Sequence, residues 1–169
     1  MTISLPNELN LVAPYLYVTN LETIDVHVAS IKKLQVANII NVADGRDTAQ
    51  DSTIHLYLPH TQYNWFPIPD EATENIVKHA LTFVIPIIKR NVEAQVPTIL
   101  HCYQGKSRSI ACALVWIIQS QNIPIDQALK RIKLSRPIAQ PNRGFMDQLY
   151  NYSKELMGRK RVFIAKRIS

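Results

Sequence analysis

The amino-acid sequence predicts an α/β protein: one domain with a central four- to five-stranded, mostly parallel sheet flanked by helices. Short apolar runs typical of buried strands alternate with segments of helical periodicity, as in sheets covered by helices on both faces. The 169 residues, 47% of them hydrophobic, suit a single core. The sequence contains no internal repeat that would indicate a second domain. We assign residues 1–157 to the globular domain and residues 158–169 to a short basic tail.

The first third of the chain predicts three strands and one helix. Residues 11–18 are typical of an opening strand, because Pro14 suits a strand start and the residues after it favour extended backbone. Apolar positions recur at helical spacing in residues 23–34. Residues 37–43 form an apolar run typical of a buried strand, and residues 53–58 alternate between polar and apolar side chains. These patterns predict the order strand, helix, strand, strand.

The remaining chain predicts one more strand among four helices. Residues 73–92 have helical periodicity, and Pro86 is expected to kink that helix. Residues 96–101 form a short strand, and an apolar helix follows over residues 108–120. Two further helices are predicted over residues 124–134, with Pro124 in the first turn, and over residues 141–157.

The formal net charge of +6 is concentrated at one end of the chain. Residues 158–169 contain five basic residues and no acidic one, so the rest of the chain carries only +1. The five are Arg159, Lys160, Arg161, Lys166 and Arg167. A short basic terminus is most often a solvated end, with a localisation signal, a membrane surface and RNA as alternatives. The nearly neutral body does not indicate a nucleic-acid-binding domain.

Cysteine usage and hydropathy predict an intracellular protein, cytoplasmic with the nucleus as a second location. The chain has two cysteines, Cys102 and Cys112, and its first residues lack the charged and apolar regions of a secretory signal. The apolar run at residues 110–118 is too short to cross a bilayer, so no transmembrane segment is expected. The histidines outside residues 101–109 are scattered along the chain, and the spacing of the two cysteines does not match that of zinc ligands. We therefore expect no metal and no cofactor.

Residues 101–109 combine a strand end, a short loop and a helix start. Such a loop collects backbone N–H groups that have no partner within the helix, and these favour an anion. Gly105 permits a tight turn close to a ligand, and the guanidinium of Arg108 holds two phosphate oxygens at once. The sequence therefore predicts a phosphoryl-binding loop. Its substrate-binding residues are Tyr103, Gln104, Gly105, Lys106, Ser107 and Arg108.

Cys102 is the predicted nucleophile, because the donors of this loop stabilise a thiolate that faces the bound phosphoryl group. Ser109 is expected to donate a hydrogen bond to the sulfur when it leaves. His101 is expected to fix the loop and to add to the stabilisation of the thiolate. Phosphate-ester cleavage also needs a general acid on a nearby loop, and Asp70, after a Pro-containing segment, is the best candidate. Taken alone, Asp70 fits an ordinary helix cap or surface residue better than an acid, and only its pairing with the cysteine motif reverses that preference.

These residues resemble the cysteine-based dual-specificity phosphatases of the protein tyrosine phosphatase superfamily. His101-Cys102, five residues and then Arg108-Ser109 match the family's signature loop, and Asp70 stands where members carry their general acid. Arg136-Pro137 and residues 141–145 resemble the family's later pattern, whose asparagine, here Asn142, supports the loop. The resemblance implies metal-free, two-step hydrolysis of phosphotyrosine and of phosphoserine or phosphothreonine in proteins.

Lys106 leaves the substrate class open. Relatives that act on phosphoinositides or other phospholipids carry a basic residue at this position, and relatives that act on RNA 5′-phosphates also exist. A phosphate-binding module without turnover is a further alternative, although Cys102, Arg108 and Asp70 are all present. A serine triad of Ser107 or Ser109 with His101 is disfavoured, because positions so near in the chain rarely supply its geometry and Arg108 has no place in it. The oligomeric state is not predicted.

Overall fold

The computed structural model describes residues 8–45 and 58–168, with side chains through residue 158. Strands and helices alternate over these residues. The strands are β1 (Asn10–Ala13), β2 (Leu16–Thr19), β3 (Asn38–Asn41), β4 (Gln62–Trp65) and β5 (Thr98–His101). The helices are α1 (Leu21–Val26), α2 (Val28–Lys33), α3 (Ile76–His79), α4 (Ile85–Glu93), α5 (Arg108–Gln121), α6 (Ile125–Ser135) and α7 (Arg143–Ile168). A π-helical turn (Ala80–Val84) joins α3 to α4.

The five strands form one sheet in the order β1-β2-β5-β3-β4. β1 and β2 are antiparallel, and every other pair is parallel. The predicted fold class, a mostly parallel sheet flanked by helices, is confirmed. β5 lies at the centre, and its last residue, His101, is in register with Thr19 of β2 and Asn41 of β3. The segment that follows β5 therefore begins at the carboxyl edge of the sheet, where open α/β sheets place their ligands.

The core divides between the two faces of the sheet, because successive side chains of a strand alternate in direction. Ile39 and Ile99 belong to a smaller cluster with residues of α1 and α2. Ile40 and Leu100 belong to the larger cluster, which includes α5. The first eleven residues of α5 are all buried. This central helix begins immediately after the segment that follows β5, so its N-terminus is fixed by the core.

The structure corrects two of the predicted elements in the first third. Residues 11–18 are not one strand but the β1-β2 hairpin, because Tyr15 adopts φ 60° and reverses the chain after Pro14. Residues 23–34 are two short helices, because His27 leaves the helical conformation and its N–H closes α1 by bonding to Thr23 O. The strand predicted over residues 53–58 falls on positions of which the structure describes only Leu58. β4 was not predicted.

The second half follows the predicted order with shifted boundaries. The segment around Pro86 contains the π-helical turn, whose Ile85 N–H bonds to Ala80 O, and Pro86 lies in the first turn of α4. This arrangement suits proline, which lacks the N–H that a continuous helix needs. Pro124 is the N-cap of α6 rather than a residue of its first turn. α7 continues to Ile168, past the predicted end at residue 157, so its backbone includes most of the basic segment.

Candidate active site

Residues 102–107, here called the 102–107 loop, connect the central strand β5 to the buried helix α5. The loop requires a glycine at its midpoint. Gly105 has φ 62°, and a Cβ there would lie 2.4 Å from Thr19 O and equally close to the Arg136 guanidinium. A side chain would therefore meet the backbone of β2 as well as an unfavourable φ. Glycine at this position lets the loop turn tightly over the end of the sheet.

Cys102 lies at the base of a cleft of about 340 Å³. Its side chain is buried, and its Sγ lies 3.2 Å from Ser109 Oγ in the first turn of α5. The structure thus brings together the predicted nucleophile and the hydroxyl expected to assist it. The residues that line the cleft are Asp70, Cys102, Tyr103, Gln104, Lys106, Ser107 and Arg108. Of the predicted substrate-binding residues, only Gly105 is not among them, and it packs instead against the backbone of Thr19 and the Arg136 guanidinium.

The guanidinium of Arg108 is held against the segment that carries Asp70. Its Nη1 donates a hydrogen bond to Ile68 O (3.3 Å), and its Nε lies 3.7 Å from Asp70 Oδ2. The Arg108 side chain is only 6% exposed, so its charge is poorly screened by solvent. A buried guanidinium at the wall of this cleft provides the planar donor pair that a phosphate group accepts.

Asp70 is joined to the loop through a small hydrogen-bond network. Ser107 Oγ and Asn142 Nδ2 both donate to Asp70 Oδ1, over 2.7 and 2.8 Å. The backbone N–H of Asn142 in turn donates to Ser107 Oγ (3.0 Å). Asn142 thus contacts both Asp70 and the loop, in keeping with the supporting position expected for it. This network places a carboxylate, 72 residues distant from Asn142 in sequence, at the rim of the cleft.

Residues 66–75, here called the Asp70 loop, are fixed at both ends. At the start, Phe66 stacks on Phe83 of the π-helical turn with ring centroids 5.3 Å apart, and Phe66 O lies 3.0 Å from His79 Nε2. At the end, the backbone of Ala72 packs so closely on Gly144 of α7 that a Cβ on Gly144 would lie 2.1 Å from Ala72 O. The position of Asp70 is therefore determined by elements on two sides.

His101 is fully buried at the end of β5 and is neutral. Burial lowers the pKa of His101 to about 4, and the nearby backbone of Cys102 offsets only part of this effect. Its Nε2 lies 3.4 Å from Tyr63 Oη, which accepts a hydrogen bond from Asn41 Nδ2 (2.9 Å). The structure places His101 directly before the 102–107 loop, and its contribution to the stabilisation of the thiolate stays a prediction.

Arg136 is a site residue whose role the sequence did not reveal. Its side chain is 1% exposed and lies beneath the 102–107 loop. Nε donates to Gly105 O (2.5 Å) and Nη2 to Gln104 O (3.2 Å), while Nη1 donates to Asn10 Oδ1 (2.6 Å). Burial lowers the pKa of Arg136, and Glu8 and the Cys102 thiolate oppose that shift, which means that Arg136 and the thiolate attract each other. The signal in the sequence was the Arg136-Pro137 pair.

Cys112 lies within α5, fully buried and without a disulfide. Burial raises the pKa of the Cys112 thiol, so it remains protonated. Over residues 8–45 and 58–168, no group of three or more histidine, cysteine or acidic side chains is arranged to hold a metal ion. Within the same ranges no helix has both the length and the apolar character that a membrane span requires.

Comparison with known proteins identifies the fold and the family. A family model for the dual specificity phosphatase catalytic domain matches residues 16–155. Dual specificity protein phosphatase 5 of Rattus norvegicus is 28% identical over 130 residues, which cover 75% of this chain and 31% of that protein. Dual specificity protein phosphatase 22-B of Danio rerio is 27% identical over 146 residues, covering 86% of this chain and 74% of that protein.

The fold also matches a solved structure. The crystal structure of human DUSP28 superposes with a TM-score of 0.76 at 22% identity, over 92% of this chain and 99% of that one. The chain spans about a third of the length of the dual specificity protein phosphatase 5 proteins. The region matched by the family model begins with β2 and ends within α7, so it contains the Asp70 loop, the 102–107 loop and Asn142. The chain belongs to the dual specificity phosphatase family.

Proposed function

We propose that this protein hydrolyses phosphate monoesters through a cysteinyl-phosphate intermediate, as a dual-specificity protein phosphatase. One observation carries the proposal: Cys102, Arg108 and Asp70 line the same cleft. The thiolate is the nucleophile, the guanidinium binds and stabilises the phosphoryl oxygens, and the carboxyl group serves the leaving group. The three come from different parts of the chain and meet only in the fold.

In the first step, the Cys102 thiolate attacks phosphorus and the bond from phosphorus to the ester oxygen breaks. Protonated Asp70 donates its proton to that oxygen, so the alcohol or phenol leaves neutral. The backbone N–H groups of the 102–107 loop and the Arg108 guanidinium stabilise the negative charge of the phosphoryl oxygens in the transition state. The products of this step are the free hydroxyl compound and phosphocysteine.

In the second step, water attacks phosphorus and the phosphorus–sulfur bond breaks. Asp70, now a carboxylate, accepts a proton from the water. The sulfur leaves as a thiolate, and Ser109 Oγ, 3.2 Å from Sγ, donates a hydrogen bond to it. Inorganic phosphate is released and the thiolate is regenerated. Each step uses groups that the structure brings together, with no metal in either.

The proposed substrates are phosphotyrosine and phosphoserine or phosphothreonine residues of proteins. Membership of the family supports this substrate class, and the relatives named above are protein phosphatases. Tyr103 at the edge of the cleft is 49% exposed, so it is available to contact a protein surface next to the phosphorylated residue. We place the activity inside the cell, in the cytoplasm or the nucleus, where thiols stay reduced.

The chemistry is tested with an artificial aryl phosphate in the presence of a metal chelator. The wild-type protein should turn it over, and Cys102→Ser should lose the activity, because a serine hydroxyl in this loop is a far weaker nucleophile. Cys112→Ser is the matched control and should keep the activity. If Cys102→Ser remains fully active, the mechanism is wrong. If the wild type binds phosphopeptides without turning them over, the chain is a phosphate-binding module.

The role of Asp70 is tested by comparing leaving groups. Asp70→Asn should lower kcat strongly for a phosphate ester of a weakly acidic alcohol. It should affect an activated aryl ester much less, because a good leaving group needs little protonation. We expect the difference between the two esters to reach about 10²-fold, the lower end of what general acid catalysis contributes. Equal losses for both esters would remove Asp70 as the acid.

Lys106 favours one alternative, a substrate with several phosphates. Its side chain lines the catalytic cleft, where a second positive charge near Arg108 suits a phosphoinositide or an RNA 5′-triphosphate. The test is a substrate panel of phosphotyrosyl and phosphothreonyl peptides, phosphoinositide vesicles and 5′-triphosphate RNA. A loss in Lys106→Ala that is confined to lipid or RNA would replace the protein substrate with that class.

A further inference from the structure

Two more clefts adjoin the catalytic cleft, one on each side of the 102–107 loop. One lies against α1 and is lined by Glu22, Asp25 and Val26 together with Tyr103 and Gln104 of the loop. We call it the acidic cleft. The other lies against the end of α6 and the segment after it, and Lys106, Lys133 and Ile138 line it together with Gln104. We call it the basic cleft. Gln104 lines all three clefts, so it marks the point where they meet.

The two outer clefts carry opposite charges. Among the described residues, none that lines the acidic cleft is basic and none that lines the basic cleft is acidic. Glu22, Asp25 and Lys133 are exposed, and Lys106 is partly exposed between the basic and catalytic clefts. Glu22 and Lys133 therefore lie exposed at the two edges of the site. The acidic and basic clefts have volumes of about 490 and 570 Å³, which are sufficient for side chains on either side of a phosphorylated residue.

Each outer cleft also has an apolar wall. Val26 is 66% exposed in the acidic cleft, and Ile138 is 49% exposed in the basic cleft. Long side chains with a charged end can lay their methylene groups on such a wall while the charge reaches its partner. This combination suits amino-acid side chains better than it suits the phosphates of a lipid headgroup.

We propose that the site recognises a phosphopeptide whose charges differ on the two sides of the phosphorylated residue. That residue enters the catalytic cleft, an acidic or second phosphorylated residue contacts Lys106 and Lys133, and a basic residue contacts Glu22 in the acidic cleft. The inference rests on the proposed phosphatase function and specifies its substrate class. Because the two outer clefts carry opposite charges, they select the direction in which the peptide binds as well as the charges of its flanking residues.

The acidic cleft argues against a membrane or RNA substrate. An anionic bilayer or an RNA strand presents negative charge on all sides, so it would lie against Glu22 and Asp25 whenever its phosphate occupied the catalytic cleft. Like charges brought together at an interface oppose binding. At physiological ionic strength screening extends over about 8 Å, so the repulsion persists at contact distance. A peptide avoids it by carrying a basic residue on that side.

The test uses phosphotyrosyl peptides that share a core and differ only in flanking charge. The set has an acidic residue on one side and a basic residue on the other, in both orders, and also acidic, basic or neutral residues on both sides. We expect one of the two mixed orders to exceed every other peptide in kcat/KM, by about three- to tenfold, the scale of one or two exposed ion pairs. The advantage should shrink as salt is added.

Charge-reversal variants assign the preference to the two clefts. Lys133→Glu should lower kcat/KM for peptides with an acidic flank by about three- to tenfold. Glu22→Lys should do the same for peptides with a basic flank. Both should leave kcat/KM for an aryl phosphate unchanged. The matched control is Lys130→Glu. Lys130 is exposed on α6, as Lys133 is, but lines neither outer cleft, so this substitution should change none of these values.

The outcomes separate this inference from the proposed function. If the wild type does not hydrolyse the aryl phosphate, the phosphatase function itself fails. If it does, but all peptides react alike or the two charge reversals leave their ratios unchanged, the recognition by two charged clefts is wrong. Hydrolysis of phosphoinositide vesicles or 5′-triphosphate RNA faster than every peptide would also overturn it.

Discussion

Buried residues of the site differ in whether they carry charge. Arg108 and Arg136 are both buried, and their guanidinium groups remain charged because arginine holds its proton in proteins. His101, equally buried, is neutral. The buried positive charge near Cys102 therefore comes from the two arginines, and the neutral imidazole adds none.

The neutral state of His101 predicts a pH dependence of stability. Its pKa is lowered from 6.5 to about 4 in the folded chain, so between these values the unfolded chain binds a proton that the folded chain excludes. The free energy of unfolding should fall as the pH drops through this window, by up to about 3 kcal/mol. Urea unfolding at about pH 7 and about pH 4.5 measures the slope. His101→Gln, which cannot titrate, should have a smaller slope, and equal slopes would contradict the assignment.

The residues to which we assign direct chemical roles could be predicted from the sequence, because Cys102 and Arg108 share one short loop and Asp70 follows a recognisable proline-containing segment. Their supporting contacts were not. Arg136 joins Asn10 to Gly105 across separations of 126 and 31 residues, and no local pattern encodes such a contact. The charge state of His101 could not be predicted from the sequence either, since it depends on burial by other elements.

At the scale of elements, the Asp70 loop depends on its contact with α7. Gly144 lies in the first turn of α7 and allows the backbone of Ala72 to approach closely. Asn142, just before that helix, hydrogen-bonds to Asp70, and Gln148, one turn after Gly144, hydrogen-bonds to Glu74 O (2.7 Å). The start of α7 therefore acts as the support on which the Asp70 loop is positioned.

Gly144→Ala should displace the Asp70 loop without altering the 102–107 loop. A Cβ at this position would lie 2.1 Å from Ala72 O, a backbone atom, so the Asp70 loop must move. We expect kcat to fall most for esters with poor leaving groups, as for Asp70→Asn but less completely, with a loss of stability of about 1–3 kcal/mol. The rate of Cys102 alkylation should stay near the wild-type value.

Gly158→Ala is the control for this prediction, because Gly158 lies in the same helix and a Cβ there would meet no atom of the described residues within 4 Å. It should leave both esters unaffected and should stabilise the helix by up to about 1 kcal/mol. An unchanged leaving-group dependence in Gly144→Ala would indicate that α7 does not position the Asp70 loop.

Several elements differed from prediction for local physical reasons. The β1-β2 hairpin depends on Tyr15 with φ 60°, a conformation uncommon for a bulky residue and without a sequence signal. β4 is an edge strand of polar and aromatic residues whose side chains are partly or fully exposed, so it lacks an apolar run. By contrast, α5 and β5 were predicted nearly to the residue, because buried elements have continuous apolar sequences.

Across the whole molecule, the two ends of the sheet have different roles. The carboxyl end holds the catalytic cleft. The amino end holds a buried polar cluster, in which Asn91 Nδ2 of α4 donates to Asn38 Oδ1 (2.7 Å) and Thr98 Oγ1 (2.8 Å) at the first residues of β3 and β5. The cluster joins β3 and β5 at the end of the sheet opposite the cleft.

Asn91→Ala should lower stability and leave catalysis intact. The substitution leaves Asn38 Oδ1 and Thr98 Oγ1 without this donor in a buried site, which should reduce the free energy of unfolding by about 2–4 kcal/mol. The strands separate the cluster from the cleft by about 10 Å, so kcat/KM for the folded variant at 25 °C should match the wild type. Asn151→Ala, an exposed residue of α7, should change neither quantity. A large loss of kcat/KM in Asn91→Ala would show that the two ends are coupled.

The fold class could be predicted because alternating strands and helices constrain the layers of an α/β protein. The order β1-β2-β5-β3-β4 could not, since strand neighbours are determined by contacts between distant segments such as residues 38 and 98. The two outer clefts could not be predicted from the sequence either, because α1 and the end of α6 approach the 102–107 loop only in the folded structure.

The division of the 102–107 loop into buried and exposed positions has a consequence for how such a site diversifies. Cys102, Gly105 and Ser107 are buried, whereas Tyr103 and Gln104 are exposed and Lys106 is partly so. Under the proposed mechanism the first group maintains the chemistry and the second contacts the substrate. Mutations at positions 103, 104 and 106 can therefore accumulate under selection for a new partner while the fold and reaction persist, so a duplicated copy has an open route to a different target.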